Sequence, residues 1–233
     1  MVSNSTILSE CKQRLNRVNS NYGEKIRVEE WDAYVNSAYR AWVKSRVKVA
    51  DLNSKARTDL RGLEENDIPL NILTTKDQWV ICGLPENHYS TIRLGCYGIR
   101  DGCKPRELTV HFLQGADWPE TYRDPHWTPS FLWGRTLADD VGSGVKIGRT
   151  SDFGVAVTMD YYREPARVYS PEEQEIDYEG PLKVLGRRNI PFELGDMQFD
   201  EVADIAVYFA TRDSGDPKEI ETQWQKVVNL LNL

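Results

Sequence analysis

Side chains able to do chemistry are spread thinly along this chain. Its three histidines, His88, His111 and His126, lie in three separate segments. His111 falls on the polar phase of an alternating strand, where a surface or hydrogen-bonded histidine is the usual case. The four cysteines, Cys11, Cys82, Cys96 and Cys103, are too irregularly spaced for a disulfide framework. They read as thiols. Cys96 and Cys103 with His88 nearby can be drawn as a zinc site, but no CxxC or HxxxH pair supports it, so no metal is expected. Neither a GxSxG elbow nor an HExxH helix is present. Gly142-Ser143-Gly144 followed by Gly148 imitates a phosphate loop without the Lys-Ser/Thr that would bind phosphate, and position 147, where GxGxxG needs glycine, is Ile147.

Acidic pairs recur at Glu29-Glu30, Asp139-Asp140 and Glu172-Glu173, but the chain holds 36 Asp and Glu, and most of these must be solvated. Glycoside hydrolysis needs two carboxylates facing one cleft, and nothing in the spacing selects a pair. No catalytic residue and no cofactor are assigned, and the chain is not read as an enzyme.

Aromatic residues give the stronger signal. Residues 115–144, GADWPETYRDPHWTPSFLWGRTLADDVGSG, hold Trp118, Trp127 and Trp133 with three prolines and no periodicity. A loop this long inside a compact domain is usually functional or ordered by a partner, and Trp is enriched at interface centres. Two readings stay open: contact with a partner, or a small core folded back over the domain. Tyr161 and Tyr162, which end the run AVTMDYY, and Trp224, Leu230 and Leu231 on the last helix complete the candidate interface.

The elements that must position these residues follow from periodicity. Residues 6–20 place Ile7, Leu8, Cys11, Leu15 and Val18 on one helical face. The stretch VEEWDAYVNSAYRAWVKSRVKV sets Trp31, Tyr34, Val35, Ala38, Trp42 and Val43 on a wide apolar stripe, with acids in its first turn and bases in its last. From Ile68 the texture changes to short β-type runs: IPLNILT, QWVIC, STIRLGCYGI, RELTVHFL, VKIGR and FGVAVTMDYY. Phe199, Val202, Ala203, Ala206, Phe209 and Ala210 mark a further helix. Asp216, Pro217 and Glu219 then form a capping-box start for the last one. The apolar face of that helix either packs on the N-terminal helices or docks on a neighbour, and the absence of a C-terminal glycine or charged cap points to docking.

The class expected is α+β. A helical region spans 1–66, a central antiparallel β domain spans 67–170 with the insertion 115–144, a polar arm spans 171–195, and C-terminal helices span 196–233. With 40% hydrophobic and 28% charged residues the chain can bury a core. No apolar run approaches the roughly 20 residues of a membrane span, and MVSNSTILSECKQR lacks the pattern of a secretory signal, so a soluble protein made in the cytoplasm is expected. The net charge of -7 argues against non-specific DNA wrapping but leaves room for DNA that slides past an acidic or neutral wall.

Two stretches carry a family resemblance. The opening RLNRVNSNYGEKIRVEEWDAYVNSAYRAWV resembles the N-terminal signature of head–tail connector and adaptor proteins of tailed phages, with Tyr34-Val35-Asn36-Ser37-Ala38 at the centre of the second helix. The stretch VAVTMDYYREPARVY…FELGDMQFDEVADIAVYFATR is similar to the far end of ring proteins from crAss-like short-tailed phages, and Glu201 to Val207 match its helix. The likeness covers about a third of the chain. It implies a structural virion protein, a homo-oligomeric ring that bridges portal and tail, contacts the portal and adjacent tail or ring proteins, and lets genomic DNA pass without tight binding. Under it, residues 166–195 would be ordered by an adjacent subunit. A glycan- or receptor-binding virion module stacking sugars on the Trp-rich loop is the alternative, and an uncharacterised hydrolase comes third.

Overall fold

The computed structural model describes residues 4–18, 26–113, 117–168, 196–214 and 217–231. The chain is α+β and divides into two compact units: a helical one from residues 1–63 and 165–233, and a β unit from residues 64–164. The polar arm expected over 171–195 and the capping residue Asp216 lie outside the described residues.

The helical unit is made by both ends of the chain. Helices α1 (Asn4–Val18), α2 (Val28–Val49) and α3 (Ser54–Leu60) come from the first 63 residues, and α5 (Asp196–Ser214) and α6 (Pro217–Leu231) from the last part; α4 belongs to the β unit. Helix α2 has the bounds its apolar stripe predicts. Trp31, Val35, Ala38, Trp42 and Val43 are buried, while Tyr34 is half-buried and donates its hydroxyl to Asp213 at 2.8 Å. The first turn is closed by Glu30, whose carboxylate accepts the Arg27 N–H at 3.1 Å. Helix α3 starts under Asn53, whose side chain accepts the N–H of Lys55 and of Ala56.

Helix α5 packs along α2 and α1, and α6 packs on α5. Polar side chains lock the first of these contacts. The Glu201 carboxylate accepts from Trp42 Nε1 and from Arg46, both at 2.6 Å, and Arg46 also lies 3.7 Å from Asp59. Arg14 holds Asp204 at 2.7 Å and pairs with Asp200. Asn36, a half-buried amide beside the α2 stripe, reads the backbone of Val168 in both directions. It donates to the Val168 carbonyl and accepts the Val168 N–H, each at 2.8 Å. A side-chain amide thus takes the place of a neighbouring strand for the chain that leaves the β unit.

The β unit is an eight-stranded sheet. Its strands are β1 (Glu64–Pro69), β2 (Ile72–Thr75), β3 (Trp79–Gly83), β4 (His88–Ile99), β5 (Arg106–Leu113), β6 (Arg135–Asp140), β7 (Gly144–Gly148) and β8 (Gly154–Arg163). Their order is β1-β8-β4-β5-β6-β7-β3-β2. The outer strands β1 and β2 are consecutive in the chain. Between them the Leu70 N–H bonds to Val157 of β8, and the Asn71 carbonyl accepts the N–H of Gly83 of β3, both at 2.9 Å. One bent segment therefore pairs with both ends of the sheet and curls it into a barrel, while β1 and β2 each keep one unpaired side. Val80, Cys82, Leu94, Cys96, Leu108, Ile147, Val155, Val157 and Met159 fill the interior. A bulge in β1 puts Asp67 at φ 53°, and its N–H is taken by Asp160 at 2.7 Å.

Two expectations need correction. The β domain is mixed rather than antiparallel, because β5 and β6 pair in parallel. A parallel neighbour requires a crossover of a dozen or more residues, and that is the physical role of the segment after β5. This segment is also not one long loop: it carries α4 (Trp118–Arg123) and β6. Strand β6 is buried on both faces from Thr136 to Asp139, so it lacks the period-two alternation that reveals a strand with one solvated face. The predicted run IPLNILT, in turn, splits at Leu70-Asn71 into β1 and β2.

Two measurements check this core. Trp42→Ala removes a fully buried ring and costs about 3–5 kcal/mol in denaturant unfolding, whereas Glu201→Ala leaves the Trp42 indole without its acceptor and Arg46 with Asp59 alone, and costs about 2–3 kcal/mol. An unchanged midpoint for both would refute the α2–α5 contact. Burial pushes the thiols of Cys11 and Cys96 up to about 12 and that of Cys82 to about 11, while Cys103 is exposed. At pH 8 the native protein should give one fast thiol with a disulfide reagent and four once unfolded. Because the thiols ionise near 9 in the unfolded chain but later in the folded one, stability should fall as pH rises from 9 towards 12.

Candidate interaction surface

The crossover between β5 and β6 sorts its aromatic residues into two groups. Trp118 and Phe131 turn inward. Trp118 is 6% exposed, and its ring faces the Lys146 ammonium at 3.9 Å; Trp79 flanks the same group at 5.4 Å. Asp139 is the cross-strand partner of Lys146. Burial pulls Lys146 below the usual lysine range, and Asp139 partly restores it. Phe131 joins the barrel core beside Phe153, with ring centroids 6.2 Å apart.

Between those anchors the chain is held rigidly by its own polar groups. Asp124 accepts the His126 N–H at 2.8 Å, and the Thr128 hydroxyl donates to the carbonyls of Tyr122 and Asp124. Tyr122 donates its hydroxyl to the carbonyl of Arg149. Arg135 is the central latch: it donates to the carbonyls of Thr128 at 3.2 Å and Pro125 at 3.0 Å, and its guanidinium lies 4.4 Å from the centre of the Trp133 ring. Arg106 binds the carbonyls of Phe131 and Leu132 in the same way. It also presses on Gly134, which has φ +62°, so a side chain there meets both strain and a clash.

What this frame leaves outside is apolar. Trp127 is 45% exposed, Trp133 62%, Leu132 70% and Phe112 60%. Trp127 also forms one wall of a cleft of about 600 Å³ between the end of β5 and the segment after it, lined by Val110, His111, Phe112, Glu120, Asp124 and Trp127. His111 meets the Trp127 ring edge-on at 5.2 Å. Rigid, exposed aromatic rings next to carboxylates offer a binding surface with little ordering cost.

The residues singled out from sequence therefore separate. Trp127 and Trp133 lie at the surface of the β unit, whereas Trp118 is buried and belongs to the fold. Tyr161 and Tyr162 are also buried and are no interface residues of the folded chain. Tyr161 donates its hydroxyl to Asn87 at 2.8 Å and packs on His88, and burial lowers the His88 pKa against the pull of Asp140. On the helical unit, Trp224 is 43% exposed and stacks on Tyr208, and Leu230 and Leu231 are half-buried. Of the apolar face of α6, which the sequence left to pack on the N-terminal helices or to dock, Val227 is buried and the helix lies on α5. Leu233 lies outside the described residues. Leu132, Phe112, Arg106 and Arg135 escaped the sequence reading. The two arginines act through carbonyls and a ring, which leave no pattern in a sequence, and Phe112 shares the inward phase of Leu108 but sits past the end of the packed core.

Among the described residues no three His, Cys, Asp or Glu side chains gather as a metal site. No helix among them is long and apolar enough to cross a membrane.

Trp118→Ala should lower the unfolding free energy by about 3 kcal/mol or more, while Trp133→Ala should change it by less than about 1 kcal/mol. Equal losses in thermal melts of the two variants would show that Trp133 is a packing residue. Compared with known proteins, the chain matches no family model and no curated sequence.

Proposed function

We propose that this chain is a structural virion protein, one subunit of a ring that connects the portal of a tailed double-stranded DNA phage to its tail. It works through binding surfaces, not catalysis. The observation that carries the reading is that the two stretches bearing the resemblance pack together. Arg14 of the RLN end pairs with Asp200, just before the EVADIAV stretch, and with Asp204 inside it, and Trp42 and Arg46 hold Glu201 at its start. Asn36 of the YVNSA centre holds the backbone just past the REP sequence. The two stretches that carry the resemblances, distant in the chain, are thus neighbours in one unit.

The exposed rings of Trp127 and Trp133 give such a subunit apolar anchors for a heterologous contact, and contacts of that type close into rings. Portal and neighbouring tail proteins would meet the same kind of surface, and DNA would pass without being held tightly. The cleft at Trp127, with Glu120 and Asp124 beside an aromatic wall, favours a second reading in which a virion module stacks a sugar ring there.

Negative-stain microscopy of the purified protein, alone and mixed with its portal, separates the two. Rings, or a collar added to the portal, are expected, and Trp127→Ala with Trp133→Ala should reduce them. Monomers that ignore the portal and bind immobilised glycans through Trp127 would overturn the connector reading.

A further inference from the structure

The chain's negative charge is not evenly spread. Residues 40–61 hold seven basic side chains, Arg40, Lys44, Arg46, Lys48, Lys55, Arg57 and Arg61, against two acidic ones, Asp51 and Asp59. The excess is +5 in a chain of net charge -7. The buried Arg46 is already ion-paired within the fold, with Asp59 at 3.7 Å and Glu201 at 2.6 Å. The remainder point outward. Lys44 and Lys48 are exposed one helical turn apart on the face of α2 opposite Trp42, and Lys55, Arg57 and Arg61 are exposed on and just after α3, which packs on α2. Among the described residues none of these five has a carboxylate within ion-pair reach.

Unpaired like charges side by side repel one another, and they add nothing to the fold that a neutral polar residue would not. We infer that this basic ridge of α2 and α3 is a contact surface for the phosphate backbone of duplex DNA. Successive cations on α2 rise by about 6 Å per turn of four residues, a spacing that long, flexible side chains can adapt to successive phosphates. A protein partner fits the surface less well. Interfaces between proteins are built around apolar centres, and Leu52 is the single large apolar side chain exposed among residues 40–61. The acidic remainder of the chain repels DNA, so the contact is weak and reversible. The ridge does not depend on the connector reading, because its test uses the free protein and asks nothing about rings.

The test is fluorescence anisotropy of a labelled 20-base-pair duplex titrated with the full chain at 50 to 200 mM salt. If about four phosphates are contacted, log K against log salt has a slope near -3.6, and affinity falls roughly 100-fold across that range. Lys44→Gln with Lys48→Gln should make the slope shallower by about 2, and adding Arg57→Gln should abolish binding at 100 mM. Thermal melts of these surface variants should match the parent. Lys76→Gln with Lys104→Gln, exposed cations of the β unit, should change nothing. Absence of binding at 50 mM, or equal weakening by the two sets of variants, would overturn the inference. So would ridge variants that bind DNA normally but lose self-association in sedimentation, which would assign the ridge to an acidic face of a second copy.

Discussion

The helical unit depends on the carboxylate of Glu201. One side chain on α5 answers two buried donors on α2, the indole of Trp42 and the guanidinium of Arg46. Arg46 has a side chain only 9% exposed, so a lost partner leaves a charge in a site that water reaches poorly. The apolar stripe supplies most of the energy of this packing. The carboxylate supplies its register, since sliding α5 by one turn would leave the Trp42 indole unanswered and Arg46 with Asp59 alone. Because α2 and α5 come from opposite ends of the chain, this contact also decides that the barrel is an insertion in a helical unit and not one of two successive domains.

Closure organises the β unit. Leu70 and Asn71 join two strands that pair with opposite ends of the sheet, so the bend there turns an open sheet into a barrel. The single parallel step among the described strands, β5 to β6, then demands a long crossover. That demand places an aromatic-rich segment outside the barrel wall, where Arg106 and Arg135 fix its path. A topological requirement thus presents Trp127 and Trp133 to solvent on a rigid frame.

Each unit consequently offers a different kind of surface. The β unit shows rigid apolar rings suited to protein or sugar partners. The helical unit shows unpaired cations suited to phosphate.

Local patterns of the sequence were enough for α1, α2, α5, α6 and most strands. The stripe from Trp31 to Val43 determined α2, and alternation determined β8, because a half-buried element records its period in its residues. The α+β class and the charge excess around α3 were equally readable. Strand β6 was not, because burial on both faces erases alternation. The fates of Trp118 and Trp133, fifteen residues apart in the same segment, were not readable either. Which ring turned inward was decided by Lys146 and Trp79 on strands brought up by barrel closure, and which stayed outside by the latches of Arg106 and Arg135. Such contacts join residues by position in space, and a one-dimensional sequence holds the side chains but not the distances between them.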